Sequence, residues 1–208
     1  MTFTGAKLST ETADYSIMID GIACEVTTAS VDSVTCITGP RTGLYESGPT
    51  LEIYIENVGK VALQGLVYRY VSLWSASSTW GGLFAPVDGE SVSVPKGLNL
   101  LVDIDVSPVL NLVIVDGGSL IFPPSDDPNH VRTFDAHYIF INNGYMEVGT
   151  EAFPYTSKIV ITMHGKKYDP YMPVYGNKCI GVRYSTLDIH GVARSHTWTS
   201  LATTASAG

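Results

Sequence analysis

The sequence predicts an all-β protein in which a β-sandwich is followed by a parallel β-helix solenoid. Three observations carry that expectation. No window of about 11 to 18 residues places apolar side chains at i, i+3, i+4 and i+7, so amphipathic helices are not expected. Period-two alternation recurs along the chain instead. A strand–corner–strand pattern then repeats four times in the second half.

The first half reads as short strands between turns. Ser16-Ile17-Met18-Ile19, Leu51-Glu52-Ile53-Tyr54-Ile55 and Val67-Tyr68-Arg69-Tyr70-Val71 alternate as half-buried strands do, and Asp20-Gly21, Gly39-Pro40 and Asn57-Val58-Gly59 provide turns. Strands about ten residues apart are those of a sandwich. From Trp74 the texture changes: Trp74, Trp80 and Gly81-Gly82 stand in a Ser/Thr-rich stretch, followed by strands punctuated by Gly. This places a boundary near Leu73 and divides the chain into residues 1–73, residues 74–201, and residues 202–208 as a tail or the start of a next segment.

Four twelve-residue blocks, 90–101, 111–122, 137–148 and 178–189, align without gaps. Their third positions are Val92, Val113, Ile139 and Ile180, and their fifth are Val94, Val115, Ile141 and Val182. The eighth are Gly97, Gly118, Gly144 and Ser185; at the tenth, Asn99 departs from Leu120, Met146 and Leu187. Each block is a strand, a tight corner and a second strand. A further strand, 158–163, precedes His164-Gly165 in the long step before the last block. A propeller blade needs roughly 40 residues and four strands, so this shorter unit favours a parallel β-helix, with a second sandwich as the alternative.

Composition limits the function classes. Of 208 residues, 45% are hydrophobic and 15% charged, the latter below the roughly 25% usual in soluble domains. Twelve Lys+Arg against 20 Asp+Glu give a net charge of −8, and without a basic cluster no nucleic-acid partner is expected. No apolar run approaches the roughly 20 residues of a membrane span, and Met1-Thr2-Phe3-Thr4-Gly5 is not a signal peptide. No direct membrane insertion is therefore expected, and the sequence reads as a segment of a longer chain.

Cys24 and Cys36 lie in two strand-like runs that a hairpin would bring side by side, which predicts a disulfide in an extracellular protein. Cys179 is left over as a buried, inert thiol. Of the five histidines, His190 and His196 have no standard zinc spacing; His164-Gly165 and His190-Gly191 instead read as equivalent corners of successive turns, alongside Gly97, Gly118 and Gly144. Asp103, Asp105, Asp116, Asp126, Asp127 and Asp135 lack the calcium-loop pattern and read as solvated turn residues. A Gly-x-Ser-x-Gly elbow and a phosphate loop are both missing. No catalytic or metal-binding residue is assigned, and no cofactor is expected. Tyr168, Tyr171 and Tyr175 lie in a Pro/Tyr loop suited to stacking on sugars or packing on a partner, and equally to covering the side of the solenoid.

Several motifs carry a family resemblance. Trp80-Gly81-Gly82, Asp116-Gly117-Gly118-Ser119, Asn143-Gly144, Tyr175-Gly176-Asn177-Lys178, Leu187-Asp188-Ile189-His190-Gly191 and Trp198-Thr199-Ser200-Leu201 together resemble the eight-glycine domain of fibrocystin and fibrocystin-like proteins. That domain also occurs in the cell-migration-inducing hyaluronan-binding protein and its transmembrane hyaluronidase relative. Gly21-x-x-Cys24, Thr35-Cys36-Ile37-Thr38-Gly39-Pro40 and Tyr68-x-Tyr70 are similar to an immunoglobulin-like TIG domain lacking its first strand. The resemblance implies a right-handed β-helix and a non-catalytic module of a large extracellular protein, at the cell surface or on cilia. It implies flanking domains of the same chain as partners, together with other extracellular proteins or glycans. The hyaluronan branch implies the rival, part of a polysaccharide-binding or polysaccharide-cleaving enzyme.

Overall fold

Residues 1–19, 21–40, 51–62, 69–195, 198 and 203 are described in the computed structural model. The alternating sequence of the first segment forms β1 (Thr2–Thr4), β2 (Tyr15–Ile19), β3 (Ile22–Ala29), β4 (Ser33–Thr38), β5 (Leu51–Ile55) and β6 (Gly59–Lys60). All pairs are antiparallel, in the order β1-β4-β3-β2-β5-β6. Alternation turns Ile17 and Ile19 of β2 inward, with Ser16 outward; Ile17 pairs with Ile53 of β5. These residues share one core with Cys24, Val34 and Cys36.

Cys24 on β3 and Cys36 on β4 are joined by a disulfide, their Cα atoms 5.5 Å apart. The link ties two adjacent strands, and on a chain-entropy argument a loop of this size stabilises by roughly 3 kcal/mol.

Two sheets, β1-β4-β3 and β3-β2-β5-β6, share β3. One expectation for this half needs correction. The strand expected over 67–71 does not form at its described residues: the chain there enters β7 (Ser72–Leu73), which pairs in parallel with a later strand. Val67 and Tyr68 lie outside the described residues, as do Asp20 of the first turn, His196, Thr199 to Leu201 and most of 202–208.

From β7 onward every pair of named strands is parallel. The strands are β8 (Val92–Pro95), β9 (Asn99–Leu101), β10 (Val106–Asp116), β11 (Ser119–Phe122), β12 (Val131–Asn142), β13 (Tyr145–Val148), β14 (Lys158–Met163), β15 (Ile180–Arg183) and β16 (Thr186–Ile189). One sheet runs β14-β12-β10-β8, with β15 also on β12; the other runs β16-β13-β11-β9-β7. The chain therefore alternates between the sheets, laying each new strand beside its counterpart from the previous pass.

The repeat explains the core. Val92, Val113, Ile139 and Ile180 are register partners, as are Val94, Val115, Ile141 and Val182. In the three earlier strands both sets are fully buried, whereas Val182 on the last is 38% exposed. The second sheet contributes Leu100, Leu120 and Met146, all fully buried. Each such side chain removed from water stabilises by roughly 1.5–3 kcal/mol.

The gapless alignment fails in its first block. Leu100, not Asn99, pairs with Leu120, because the first corner holds three residues (96–98) where the others hold two. Gly97 consequently matches Gly117, Asn143 and Tyr184, the positive-φ residues of the later corners, with φ of 84°, 79°, 48° and 49°. Gly118 and Gly144 serve another purpose, close approach between passes. A Cβ on Gly118 would lie against the carbonyl of Pro95 and 2.8 Å from those of Val94 and Leu98. At the departing position Ser185 accepts from Gly144 N–H at 3.1 Å and donates to Arg183 O at 2.6 Å, so the corner closes without glycine.

Candidate ligand-binding cleft

β14 and β15 lie on successive parts of β12, pairing with its residues 131–136 and 139–142. The sixteen residues between them, 164–179, leave the sheet and return. Gly165 forms the neck, since a Cβ there would be 2.9 Å from Lys178 Cα. Asn177 closes the loop by donating to Lys166 O at 2.7 Å and Lys167 O at 3.2 Å. Met172 and Gly176 exchange backbone hydrogen bonds of 2.7 and 2.9 Å around the tip.

The loop folds over the outer face of the first parallel sheet. That face is unusually apolar, with Leu112 opposite Tyr138 and Ile114 opposite Phe140. Tyr175 packs on Phe140 with ring centroids 5.3 Å apart, in space left by Gly181. Tyr138 donates its hydroxyl proton to Pro170 O at 2.5 Å. Between loop and sheet lies a cleft of about 520 Å³, bounded by Asn111, His137, Tyr138, Asp169, Tyr171 and Met172 among others.

The three loop tyrosines thus do not form one surface. Tyr175 covers the sheet, Tyr171 borders the cleft and Tyr168 projects outward, 88% exposed, beneath Lys167 Nζ at 5.4 Å from its ring centroid. Sequence reasoning missed Asn111, His137 and Tyr138. Their signal was a polar residue, Asn111 or His137, immediately before the apolar runs 112–115 and 138–141. Cys179 is partly exposed, in contrast to the buried thiol expected.

The histidines and acids also need correction. His164 follows β14 in the first sheet, whereas His190 follows β16 in the second, so their corners are not equivalent. Gly191 has open space around its Cβ position and pairs with Tyr155 in an isolated parallel bridge. Asp135 is a strand residue bonded to His164 Nε2 at 2.7 Å, not a solvated turn, and Asp105 meets His130 Nε2 at 2.8 Å. Asp188 meets His190 Nε2 at 2.6 Å. Asp103 is held below the ordinary carboxylate range: its burial acts upward, but hydrogen bonds from Ser75 and backbone groups outweigh it. No cluster of three or more potential metal ligands occurs among the described residues.

On the second sheet, Tyr145 donates to Asp188 Oδ2 at 2.9 Å, while Arg69 pairs with Glu147 at 2.8 Å. Burial, then the Asp188 hydrogen bond and the charge of Glu147, push the Tyr145 phenol up to about 12 from 10.0. A raised folded-state value means that the stabilisation is complete below pH 10 and disappears as pH rises through about 12. Tyr145→Phe is expected to flatten the alkaline fall in melting temperature across that range. An unchanged profile would show that Tyr145 does not carry it.

The geometry defines a two-part all-β protein, with an antiparallel, disulfide-linked sheet ahead of paired parallel sheets that carry a loop-covered cleft. Comparison with known families makes the assignment specific. The G8 domain family model matches residues 79–202 and the IPT/TIG domain model residues 1–70. The chain belongs to the G8 domain family.

Among its relatives, human fibrocystin-L is 35% identical over 100% of this chain, which spans 5% of that protein. Dog fibrocystin is 37% identical over 65% of this chain and 3% of its own length. Human cell surface hyaluronidase CEMIP2 is 38% identical over 46% of this chain and 7% of its own. The chain therefore spans about 5% of the length of the fibrocystin-L proteins it matches. No solved structure matches it.

Proposed function

We propose that the chain is a non-catalytic structural and interaction segment of a large fibrocystin-like protein that acts outside the cell, at the cell surface or on cilia. The observation that carries this reading is the match of the entire chain to about 5% of fibrocystin-L. The Cys24–Cys36 disulfide supports an oxidising compartment. No helix among the described residues is long and apolar enough to cross a membrane. Residues 1–73 act as the TIG unit and 74–201 as the eight-glycine unit, whose parallel sheets are passes of a right-handed β-helix. Flanking domains of the same polypeptide are its first partners.

The cleft beside Tyr171 is the proposed contact for a glycan. Tyr171 and Tyr138 offer ring faces, while Asn111, His137 and Asp169 offer polar groups around them. A panel of neutral oligosaccharides, titrated into the purified chain by calorimetry, tests this. Tyr171→Ala is expected to weaken binding about 2- to 10-fold, the worth of one aromatic contact, with unchanged thermal stability. Equal binding by parent and variant would exclude the cleft as the glycan contact.

The rival reading is a polysaccharide-cleaving enzyme, motivated by the 38% identity to the cell surface hyaluronidase over 46% of this chain. The Asp135–His164 pair near His137 is the group that such chemistry would draw on, the two imidazole rings lying 6.1 Å apart.

A further inference from the structure

We infer that a second cleft, at the last pass of the parallel sheets, binds the acid group of a carboxylated or sulfated saccharide. It has a volume of about 350 Å³, at the small end of ligand clefts. Val148, Ile159 and Ile189 give it an aliphatic floor, Ser157 and Tyr155 provide hydroxyls, and Lys158 and Arg194 are its charged side chains. No carboxylate lines it.

In a chain of net charge −8, two cations beside an acid-free cleft are an exception to the general balance. Neither Lys158 nor Arg194 makes an ion pair among the described residues. The nearby Asp188 is already engaged by His190 and Tyr145. Both cations therefore keep their charge available to a ligand.

A third cation lies beneath. Arg132 is 5% exposed, and its partners are neutral: Ile104 O at 2.9 Å, Pro123 O, and the Tyr155 hydroxyl at 3.4 Å. A buried guanidinium without a carboxylate is weakly screened, and it adds positive potential under a cleft that Tyr155 itself lines. An anion entering from solvent meets Lys158 and Arg194 at the rim and this field at the floor.

The aliphatic side chains of Val148, Ile159 and Ile189, with the hydroxyls of Ser157 and Tyr155 in the same lining, suit the C–H face of a sugar ring. An acidic peptide would pair along a strand edge. Tyr155 N–H donating to His190 O at 2.7 Å and the Tyr155–Gly191 bridge occupy the backbone beside the end of β16, and an oligoglutamate probe tests the edges of β14 and β16. The acid group is thus assigned to a saccharide.

The test titrates the whole chain with four probes: an oligogalacturonate, a sulfated galactan oligosaccharide, a neutral glucose oligosaccharide and an oligoglutamate. Binding of either acidic saccharide, weakened by salt, is expected; comparing the two separates carboxylate from sulfate recognition. Lys158→Glu with Arg194→Glu should reduce it at least about tenfold, since two charge-assisted contacts are removed. Lys7→Glu with Lys60→Glu changes net charge equally on the other segment and should leave binding intact. Equal loss in both charge-reversed variants, neutral-probe binding that Lys158→Glu with Arg194→Glu weakens as much as acidic-probe binding, or no binding of either acidic saccharide would overturn the site. Oligoglutamate binding with the same variant dependence would overturn the saccharide assignment.

Discussion

Trp74→Ala is expected to destabilise the parallel-sheet half by about 3–5 kcal/mol, the usual cost of removing a large buried aromatic. Trp74 is 1% exposed and meets Trp80 and Phe134 edge-on, with ring centroids 5.2 and 5.9 Å away. Its backbone is equally committed: Trp74 N–H donates to Leu101 O at 2.9 Å, and its carbonyl accepts from Trp80 Nε1 at 2.7 Å. The indole caps the first pass of the stack and joins the segment entering it to the core of both sheets. At about 2–4 °C per kcal/mol, the melting temperature should fall by roughly 6–20 °C. A fall of only a degree or two would mean that the cluster is not the core of this half.

Gly118→Ala should cost about 3 kcal/mol, more than adding a methyl group usually does. The added Cβ would displace backbone, not the end of a flexible side chain: the carbonyl oxygens of Val94, Pro95 and Leu98 converge on its position. Either the corner opens or successive passes separate, and both break parallel ladder hydrogen bonds. Gly191→Ala is the matched control, because nothing lies within 4 Å of its Cβ position and its φ is not in the positive region. Thermal unfolding should separate the two by roughly 6 °C or more. Equal melting temperatures would refute close approach as the role of Gly118.

Much of this architecture was legible in the sequence because the buried positions repeat. Val113 and Ile139, or Val115 and Ile141, are equivalent in sequence and paired in space, since each pass reuses the environment of the one before. The same logic failed where a corner changed length without changing its composition. Gly97 lined up with Gly118 because both are glycines, although one supplies a positive φ and the other close approach. His164-Gly165 and His190-Gly191 misled similarly: identical dipeptides ended strands of different sheets.

The clefts were less legible because their residues are brought together across passes, not along the chain. Asn111, His137 and Tyr171 come from three elements, and nothing local marks Asn111 or His137 as facing a loop some thirty or more residues further on. The Pro/Tyr composition did mark residues 168–175 as distinctive. It did not divide the tyrosines into one that covers and one that borders a cleft, which Phe140 and Gly181 decide.

Whether this segment cleaves a glycan is decided by incubating the purified chain with size-defined hyaluronan and measuring polymer length over time. A non-catalytic interaction segment leaves the length distribution unchanged, the same with the parent chain as with Asp135→Asn. Shortening by the parent chain that Asp135→Asn abolishes would contradict it and establish the enzymatic reading.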